Sequence, residues 1–589
     1  MNEADIVVFH NGIGFDHPAL KKIRPDYIVP EYKIFDTLVA SRLIYSDIGV
    51  TDARLGAKKG LPGKLYGSHS LEAWGHRLGE HKGNYDGGWE HWSPEMQSYC
   101  CQDVTVTRAL YEKIVSKNYS QEALELEHEV SWICAQQERN GFAFDVAKAE
   151  RLYADLLGEY SETTELLRDL YRPWYTQDGE VRIPKRSNSR YGYWGHYEYS
   201  DPETKRWVGY PYSPVKLNVF NPNSRDHIAD RLKKVNGWSP VDFTPSGKPK
   251  VDESILSALP YDEAKQLARL LSIKKLMGMI GDGDNAWLKM VTKEGRIHGR
   301  IITNGAVTGR ATHSSPNLGQ VPSAKKPYGK ECRDLFTVDD GNVLVGCDVS
   351  GLELRMLAHF MAQYDDGAYA ELVVNGDVHT ANQQAAGLVT RDQAKTFIYA
   401  FLYGAGDEKI GSIAGGGAGN GKRLKSAFFD QFPALENLVF HTQYQKSSKS
   451  YEWLQAKRKT THWTKLKRYK TRDKVVYEPK TTLTGLDGRT LALRSPHAAL
   501  NTLLQSAGAL ICKRWMVEFH QLLREHHLDT SVKQVAWVHD ELQLEVDAVV
   551  ASAVGQLCVD AIKLAGQYFN IRCELTGEFN VGRTWKETH

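Results

Sequence analysis

The 589-residue sequence contains no run of about 18 apolar residues, so no membrane-spanning helix is expected. Its start, Met1-Asn-Glu-Ala-Asp, is acidic and lacks a basic segment ahead of an apolar one, so it does not read as a secretory signal peptide. Cysteine is sparse. Cys100, Cys101, Cys134, Cys332, Cys347, Cys512, Cys558 and Cys573 form no CxxC pair, which argues against a zinc site or a disulfide framework and for reduced cytoplasmic thiols. Net charge is nearly absent: 74 Lys and Arg face 72 Asp and Glu, a formal +2. Any contact with nucleic acid must therefore come from local basic patches. The apolar share of 41% and charged share of 25% are those of an ordinary soluble chain. Its length is enough for several domains, each with its own core.

Three separated stretches carry chemistry. The first, Val343-Leu-Val-Gly-Cys-Asp348-Val-Ser-Gly-Leu-Glu353-Leu-Arg355, reads as a strand, a tight turn and an amphipathic helix. Asp348 falls where the strand ends, a place that suits a ligand for a hard cation such as Mg²⁺. For a lone Asp at such a junction, a helix N-cap is the commoner role. The second stretch, Gln534-Val-Ala-Trp-Val-His539-Asp540-Glu541-Leu-Gln-Leu-Glu-Val, reads as two strands joined by a polar turn, with Asp540 at the hairpin tip. Two strand-end carboxylates can hold a pair of metals about 3.5–4 Å apart, the spacing that serves in-line phosphoryl transfer. In the third, Arg391, Lys395, Tyr399 and Tyr403 recur every four residues before Gly404, forming one slowly drifting helical stripe. Two cations suit a triphosphate, and two aromatics suit a base or sugar. A solvated basic face is the alternative for the cations.

These stretches resemble motifs A, B and C of the family A, or polymerase I-like, DNA polymerases, in their short-tailed-phage branch. The resemblance also covers Asn304-Gly-Ala-Val-Thr308-Gly-Arg310, Pro316-Asn317-Leu-Gly-Gln320-Val-Pro322 and Arg494-Ser-Pro-His497-Ala-Ala-Leu-Asn501-Thr-Leu-Leu-Gln505. It implies a multidomain α/β and α+β chain: an RNase H-like 3′–5′ exonuclease-type domain, then a right-hand polymerase of palm, fingers and thumb. The expected boundaries are 1–118 for the exonuclease-like part and 119–290 for the thumb, with an insertion at 172–214. The palm follows at 291–356, the fingers at 357–489 with a basic protrusion at 445–480, and the second palm segment at 490–589.

By the same resemblance, Asp348, Asp540 and the Val349 carbonyl would hold two Mg²⁺. Arg391, Lys395 and His379, in Asn375-Gly-Asp-Val-His379-Thr, would meet the incoming phosphates. Glu353 and Tyr399 would select the sugar, with Tyr at 399 the variant that tolerates dideoxynucleotides. Arg310 and Gln505 would touch the minor groove of primer–template DNA, where acceptors common to all correct pairs are read without reading sequence. Tyr403, His539 and Arg494 belong with them as DNA-binding candidates, and Glu541 is a supporting hairpin residue. Ser224, in Asn221-Pro-Asn-Ser224-Arg225, resembles a thumb residue on duplex phosphate, and as local chemistry it reads equally as a helix N-cap.

The N-terminal text Ile6-Val-Val-Phe-His10-Asn11-Gly-Ile-Gly-Phe-Asp16 and Tyr99-Cys-Cys-Gln-Asp103 resembles the second and third exonuclease motifs. Asp16 and Asp103 would be metal ligands, with Mg²⁺ as the ion, and Tyr99 would orient the attacking water. The family's opening Asp-x-Glu is missing, so two of four ligands are absent and proofreading is expected to be weak or lacking. Either the chain is a shortened version of a longer protein or it is a natural relic.

Between 172 and 214, Arg182, Lys185, Arg186 and Arg190 precede Tyr191, Tyr193, Trp194, Tyr197, Tyr199, Trp207, Tyr210 and Tyr212. Interleaved cations and aromatics suit a single strand or a protein partner. The family places a thioredoxin-binding processivity insertion here; a self-packed aromatic lobe is the alternative. The cation-rich stretch 445–480 is expected near the template or a helicase-primase partner, or as a solvated hairpin. The whole predicts a primer-extending DNA polymerase using dNTPs in the cytoplasm of an infected bacterium. The rivals are a single-subunit RNA polymerase, opposed by Glu353 and the Thr308-Gly-Arg310 motif, and a non-catalytic DNA-binding relative, opposed by the intact Asp348, Arg391, Lys395 and Asp540.

Overall fold

The computed structural model describes residues 1–588 except Ala57, Lys59, 182–212 and 461–467. The chain divides into two compact units, one of Met1–Asp145 with Val291–His589 and one of Val146–Met290.

A four-stranded antiparallel sheet organises the first unit. Its strands are β1 (Asn342–Val349), β2 (Val532–Val538), β3 (Glu541–Asp547) and β4 (Gly577–Gly582), in the order β2-β3-β1-β4. Both faces of β3 are buried, and they differ in chemistry. Leu542, Leu544 and Val546 enter the main apolar core. Glu541, Gln543 and Glu545, alternating with them as strand pleating requires, are buried on the other face among Trp585, Thr588 and Arg296. Helices α1 (Gln121–Asn140) and α5 (Ala551–Tyr568) pack on the sheet, and α2 (Leu352–Asp365), α3 (Arg391–Leu402) and α4 (Ala499–Glu525) extend the same core. The 27-residue α4 packs on α5, α1 and α2. Its Leu503, Leu504, Ala507, Leu510, Ile511 and Phe519 recur at helical spacing and are buried.

Helix α1 begins at a Ser120 cap whose hydroxyl accepts from Ala123 N. The sequence reading opened the thumb at 119, but the separate unit opens at Val146. The reason is packing: Leu126, Val130 and Cys134 of α1 are buried in the core of the first unit. In the second unit, helices Val146–Leu170, Arg225–Val235 and Asp262–Met277 enclose a core around Leu167, Tyr171, Leu232 and Leu267. Strands Trp174–Gln177 and Val215–Asn218 pair antiparallel at the base of the expected insertion. Its cations and aromatics from Arg182 to Tyr212 lie outside the described residues. All eight cysteines are free thiols.

Candidate active site

The register of the sheet brings the two motif carboxylates together. Asp348 is paired with Glu541 across β1 and β3, one residue from Asp540, and Val349 N donates to the Asp540 carbonyl at 3.1 Å. Asp348 is thus held in a ladder; the following helix is capped instead by Gly351, in the left-handed region. Asp540 sits in a two-residue hairpin turn with His539, whose φ is 60°. Such turns favour Gly at a positive φ, so a histidine there is a strained residue kept at the tip.

A cleft of about 570 Å³ opens at this tip, lined by Arg310, Glu353, Tyr403, Gln505, His539 and Asp540 among others. Arg310 Nη2 donates to His539 Nδ1 at 3.0 Å. Burial, then the nearby Glu353 carboxylate, pushes the Asp540 carboxyl up to about 6. The Tyr403 hydroxyl donates to Glu353 Oε1 at 3.1 Å, and burial together with that carboxylate pushes it up to about 12. Glu353 thus takes a hydrogen bond from Tyr403, one turn beyond Tyr399. Burial raises Tyr399 as well, with Glu353 the next cause. Tyr403 is also not a helical residue of the stripe but the C-cap of α3.

The other end of α3 gathers the expected phosphate groups. Thr390 and Gln393 form a reciprocal capping box that starts the helix at Arg391, a signal the sequence reading passed over. Arg391 is paired with Asp377 at 3.1 Å, and Lys395 is exposed one turn on. His379 is lowered by burial and then by the charges of Arg391 and Lys395, so the three stand together. Its Nδ1 is buried without a hydrogen-bond partner.

Glu541 is 5% exposed. It accepts from Gln543 Nε2 at 2.7 Å and from Trp585 Nε1 at 2.5 Å, with Arg333 3.6 Å away. It is a structural anchor beneath the hairpin. Arg494 is exposed and is not among the cleft-lining residues. Ser224 caps Arg225–Val235, its hydroxyl accepting from His227 N at 3.3 Å, as local chemistry anticipated.

The exonuclease-type residues are arranged differently. Asp16 ends a short helical turn and is raised by burial. Asp103, on the helix Pro94–Val115, pairs with Lys82 at 3.0 Å, and Lys82 lies 4.8 Å from the centre of the Tyr99 ring. An ammonium thus meets the carboxylate that a metal was expected to meet. Among the described residues, no group of three or more His, Cys, Asp or Glu is placed to hold a metal ion.

A profile described as DNA polymerase family A matches residues 203–587. The chain belongs to that family. It is 41% identical over 669 residues to the DNA-directed DNA polymerase of Enterobacteria phage T3, covering 99% of this chain and 92% of that protein. To the DNA-directed DNA polymerase of Escherichia phage T7 it is 40% identical over 672 residues, with the same coverage. Its fold matches a solved structure, the POL domain of Pol1 from M. smegmatis in complex with DNA primer-template and dNTP. The TM-score is 0.64 at 18% identity, covering 94% of this chain and 82% of that one. The sequence reading missed Asp377 as the partner of Arg391, although it stands in the quoted stretch around His379, and the buried charges behind the cleft, which belong to no motif.

Proposed function

We propose that this family A polymerase extends a primer 3′-OH with dNTPs under the direction of a template strand. One observation carries the assignment: the sheet register sets Asp348 opposite Glu541, one residue from Asp540, and Asp540 lines a cleft with Arg310, Gln505 and Glu353. In the proposed division, 291–356 and 490–589 serve as palm, 357–489 as fingers and 146–290 as thumb.

The donor set fits magnesium. Asp540 is held well above the ordinary carboxylate range by burial and a neighbouring carboxylate, the condition a divalent cation would relieve. Asp348, Asp540 and the Val349 carbonyl would hold two ions. When bound, these would acidify the primer hydroxyl and stabilise charge on the reacting phosphates. The chain's own residues do the rest. Arg391, released from Asp377, and Lys395 neutralise the triphosphate, and the unpartnered His379 Nδ1 turns to it as a donor. Glu353 under the sugar leaves no room for a 2′-OH. Arg310 and Gln505 read the minor groove of the primer end, joined on the DNA by Tyr403, His539, Ser224 and Arg494. Closure of α3 over the nucleotide excludes water.

Asp348→Ala or Asp540→Ala is expected to abolish extension of a labelled primer while leaving primer–template affinity largely intact. Near-normal extension by either variant would refute the assignment.

The N-terminal segment is proposed as an exonuclease-type lobe with little or no proofreading. With a 3′-mismatched, 5′-labelled primer and Mg²⁺ but no nucleotides, no shortening is expected, although the same preparation extends a matched primer. Shortening that disappears in Asp16→Ala would overturn that reading. The setting proposed is phage DNA replication in the host cytoplasm, with a thioredoxin-like processivity factor at 172–214 and the helicase-primase as partners.

A further inference from the structure

Behind the cleft, on its protein side, lie two cations and two anions with almost no access to water. Arg489 and Asp487 are each 1% exposed, and Glu127 and Lys513 are fully buried. The Arg489 guanidinium forks onto Asp487, Nε at 2.9 Å and Nη2 at 2.6 Å from Oδ2. Nη2 also lies 2.8 Å from Glu127 Oε1, which Lys513 Nζ meets from the other side. The charges cancel. Each ion comes from a defined segment: Glu127 from α1, Lys513 from α4, and Asp487 and Arg489 from the tight turn between strands Thr482–Thr484 and Thr490–Ala492. That turn is fastened to the start of α1, since Ser120 Oγ donates to the Asp487 carbonyl at 2.5 Å and Thr490 N donates to Tyr119 Oη at 2.9 Å.

One donor of Arg489 points out of this network. Nη1 donates to Asn304 Oδ1 at 3.2 Å, and Asn304 Nδ2 donates in turn to the Arg42 carbonyl at 2.9 Å. The Asn304 amide is thus held at both ends. It begins the loop that closes with Ala306 N on the Arg310 carbonyl at 3.2 Å and Gly309 N on the Ala306 carbonyl at 2.9 Å. Gly309 has a φ of 81°, and a Cβ built on it would stand 2.7 Å from Arg489 Nη1. The guanidinium and the loop backbone therefore approach as closely as a glycine permits. The charged side chain that this loop delivers to the cleft, beside Ala306 and Thr308, is Arg310. Arg489 itself does not line the cleft.

A buried ion cluster is a poor device for stability alone, because well-packed apolar residues often do as well. A planar five-donor fork with fixed partners on separate segments does something else: it fixes their relative position. We propose that Arg489 is a positioning residue for recognition of the primer end. Locked by Asp487 and Glu127, it holds Asn304 and Gly309 and so aims Arg310 at the minor groove of the terminal base pair. The inference rests on the reading of Arg310 as a minor-groove donor.

The test is single-turnover incorporation of one correct dNTP on a matched primer, comparing Arg310→Ala, Arg489→Lys, Asn304→Ala and the two double variants that include Arg310→Ala. Arg310→Ala is expected to slow incorporation by about tenfold to a hundredfold, the range for one hydrogen bond from a charged group. Arg489→Lys and Asn304→Ala should each lower the maximal rate with little change in the dNTP concentration at half-maximal rate. Neither should slow the reaction further once Arg310 is gone. Asn304→Ala leaves the four buried charges in place, so it decides the matter even if Arg489→Lys folds poorly. If Arg310→Ala is silent, the minor-groove reading fails and the proposal with it. If Arg310→Ala is slow, but the other two slow the enzyme equally with and without Arg310, the minor-groove reading stands and the positioning role is overturned.

Discussion

At the scale of single residues, two tyrosines one helical turn apart have separate surroundings. Tyr403 is bonded to Glu353, while Tyr399 feels the charge of the same carboxylate through space. The family resemblance makes Tyr399 the variant that tolerates dideoxynucleotides, and we propose that its hydroxyl supplies the hydrogen bond that a missing sugar 3′-OH would otherwise provide. Removing one such bond costs about 1.4 kcal/mol, roughly tenfold in rate. Tyr399→Phe is accordingly expected to reduce dideoxynucleotide termination by at least about tenfold against the matching dNTP. The check is the ratio of terminated to extended product in a mixed-nucleotide assay, and an unchanged ratio would refute the role of Tyr399.

At the scale of elements, the basic stretch 445–480 is a small built structure where it is described. Strands Tyr444–Lys446, Lys470–Arg472 and Val475–Pro479 form an antiparallel sheet in which the last is central. Leu454, Tyr469 and Val476 give it a minimal core, and Lys446, Lys449, Lys470, Arg472 and Lys474 stay exposed. The side chains of Arg458 and Lys459, and the segment holding Lys465 and Lys467, lie outside the described residues. A cation face seated on its own core is suited to holding phosphates at fixed spacing. Replacing Lys446, Lys449, Lys470 and Lys474 with Gln should reduce the slope of log affinity for primer–template against log salt. The expected reduction is about 0.9 for each DNA phosphate that the variant no longer neutralises. An unaltered slope would make this face a solvated hairpin or a docking surface for protein.

At the scale of the whole molecule, part of the acid sensitivity should originate in the N-terminal segment of the first unit, alongside His313 and His359, which burial also lowers to about 4. Burial lowers His10 to about 4 and His69 to about 3. Arg42 adds its charge at both, although Asp36 partly opposes the shift at His10 and Asp52 at His69. His10 Nδ1 is 2.9 Å from Thr37 Oγ1, and His69 Nδ1 is 3.2 Å from Ser41 Oγ, both on the helix Thr37–Ile44. Their folded values lie below the unfolded value of about 6.5, so the unfolded chain takes up protons first as pH falls. The neutral form's contribution is complete above about pH 6.5 and is lost as pH falls toward 4 and 3. Melting temperature should decline across that window. The decline should be shallower with His10→Gln and His69→Gln combined, and an equally steep decline would exclude these two residues as its source.

The sequence by itself placed a strand-end Asp348, a hairpin-tip Asp540 and cations four residues apart, because each rests on local chemistry at fixed spacing, while the family was legible through the resemblance that these and the other motifs carry together. It also determined that Ser224 suits a cap and that Glu541 supports rather than leads. Only the tertiary structure decided which tyrosine bonds Glu353, that Asp377 occupies Arg391, that Asp103 faces Lys82, and that α1 packs with the sheet in the first unit. It alone brought Glu127, Asp487, Arg489 and Lys513 together. Those charges are as far as 386 positions apart along the chain and have no periodicity to betray them. Their pairing depends on burial and distance, quantities set by how the helices pack and not by any one segment.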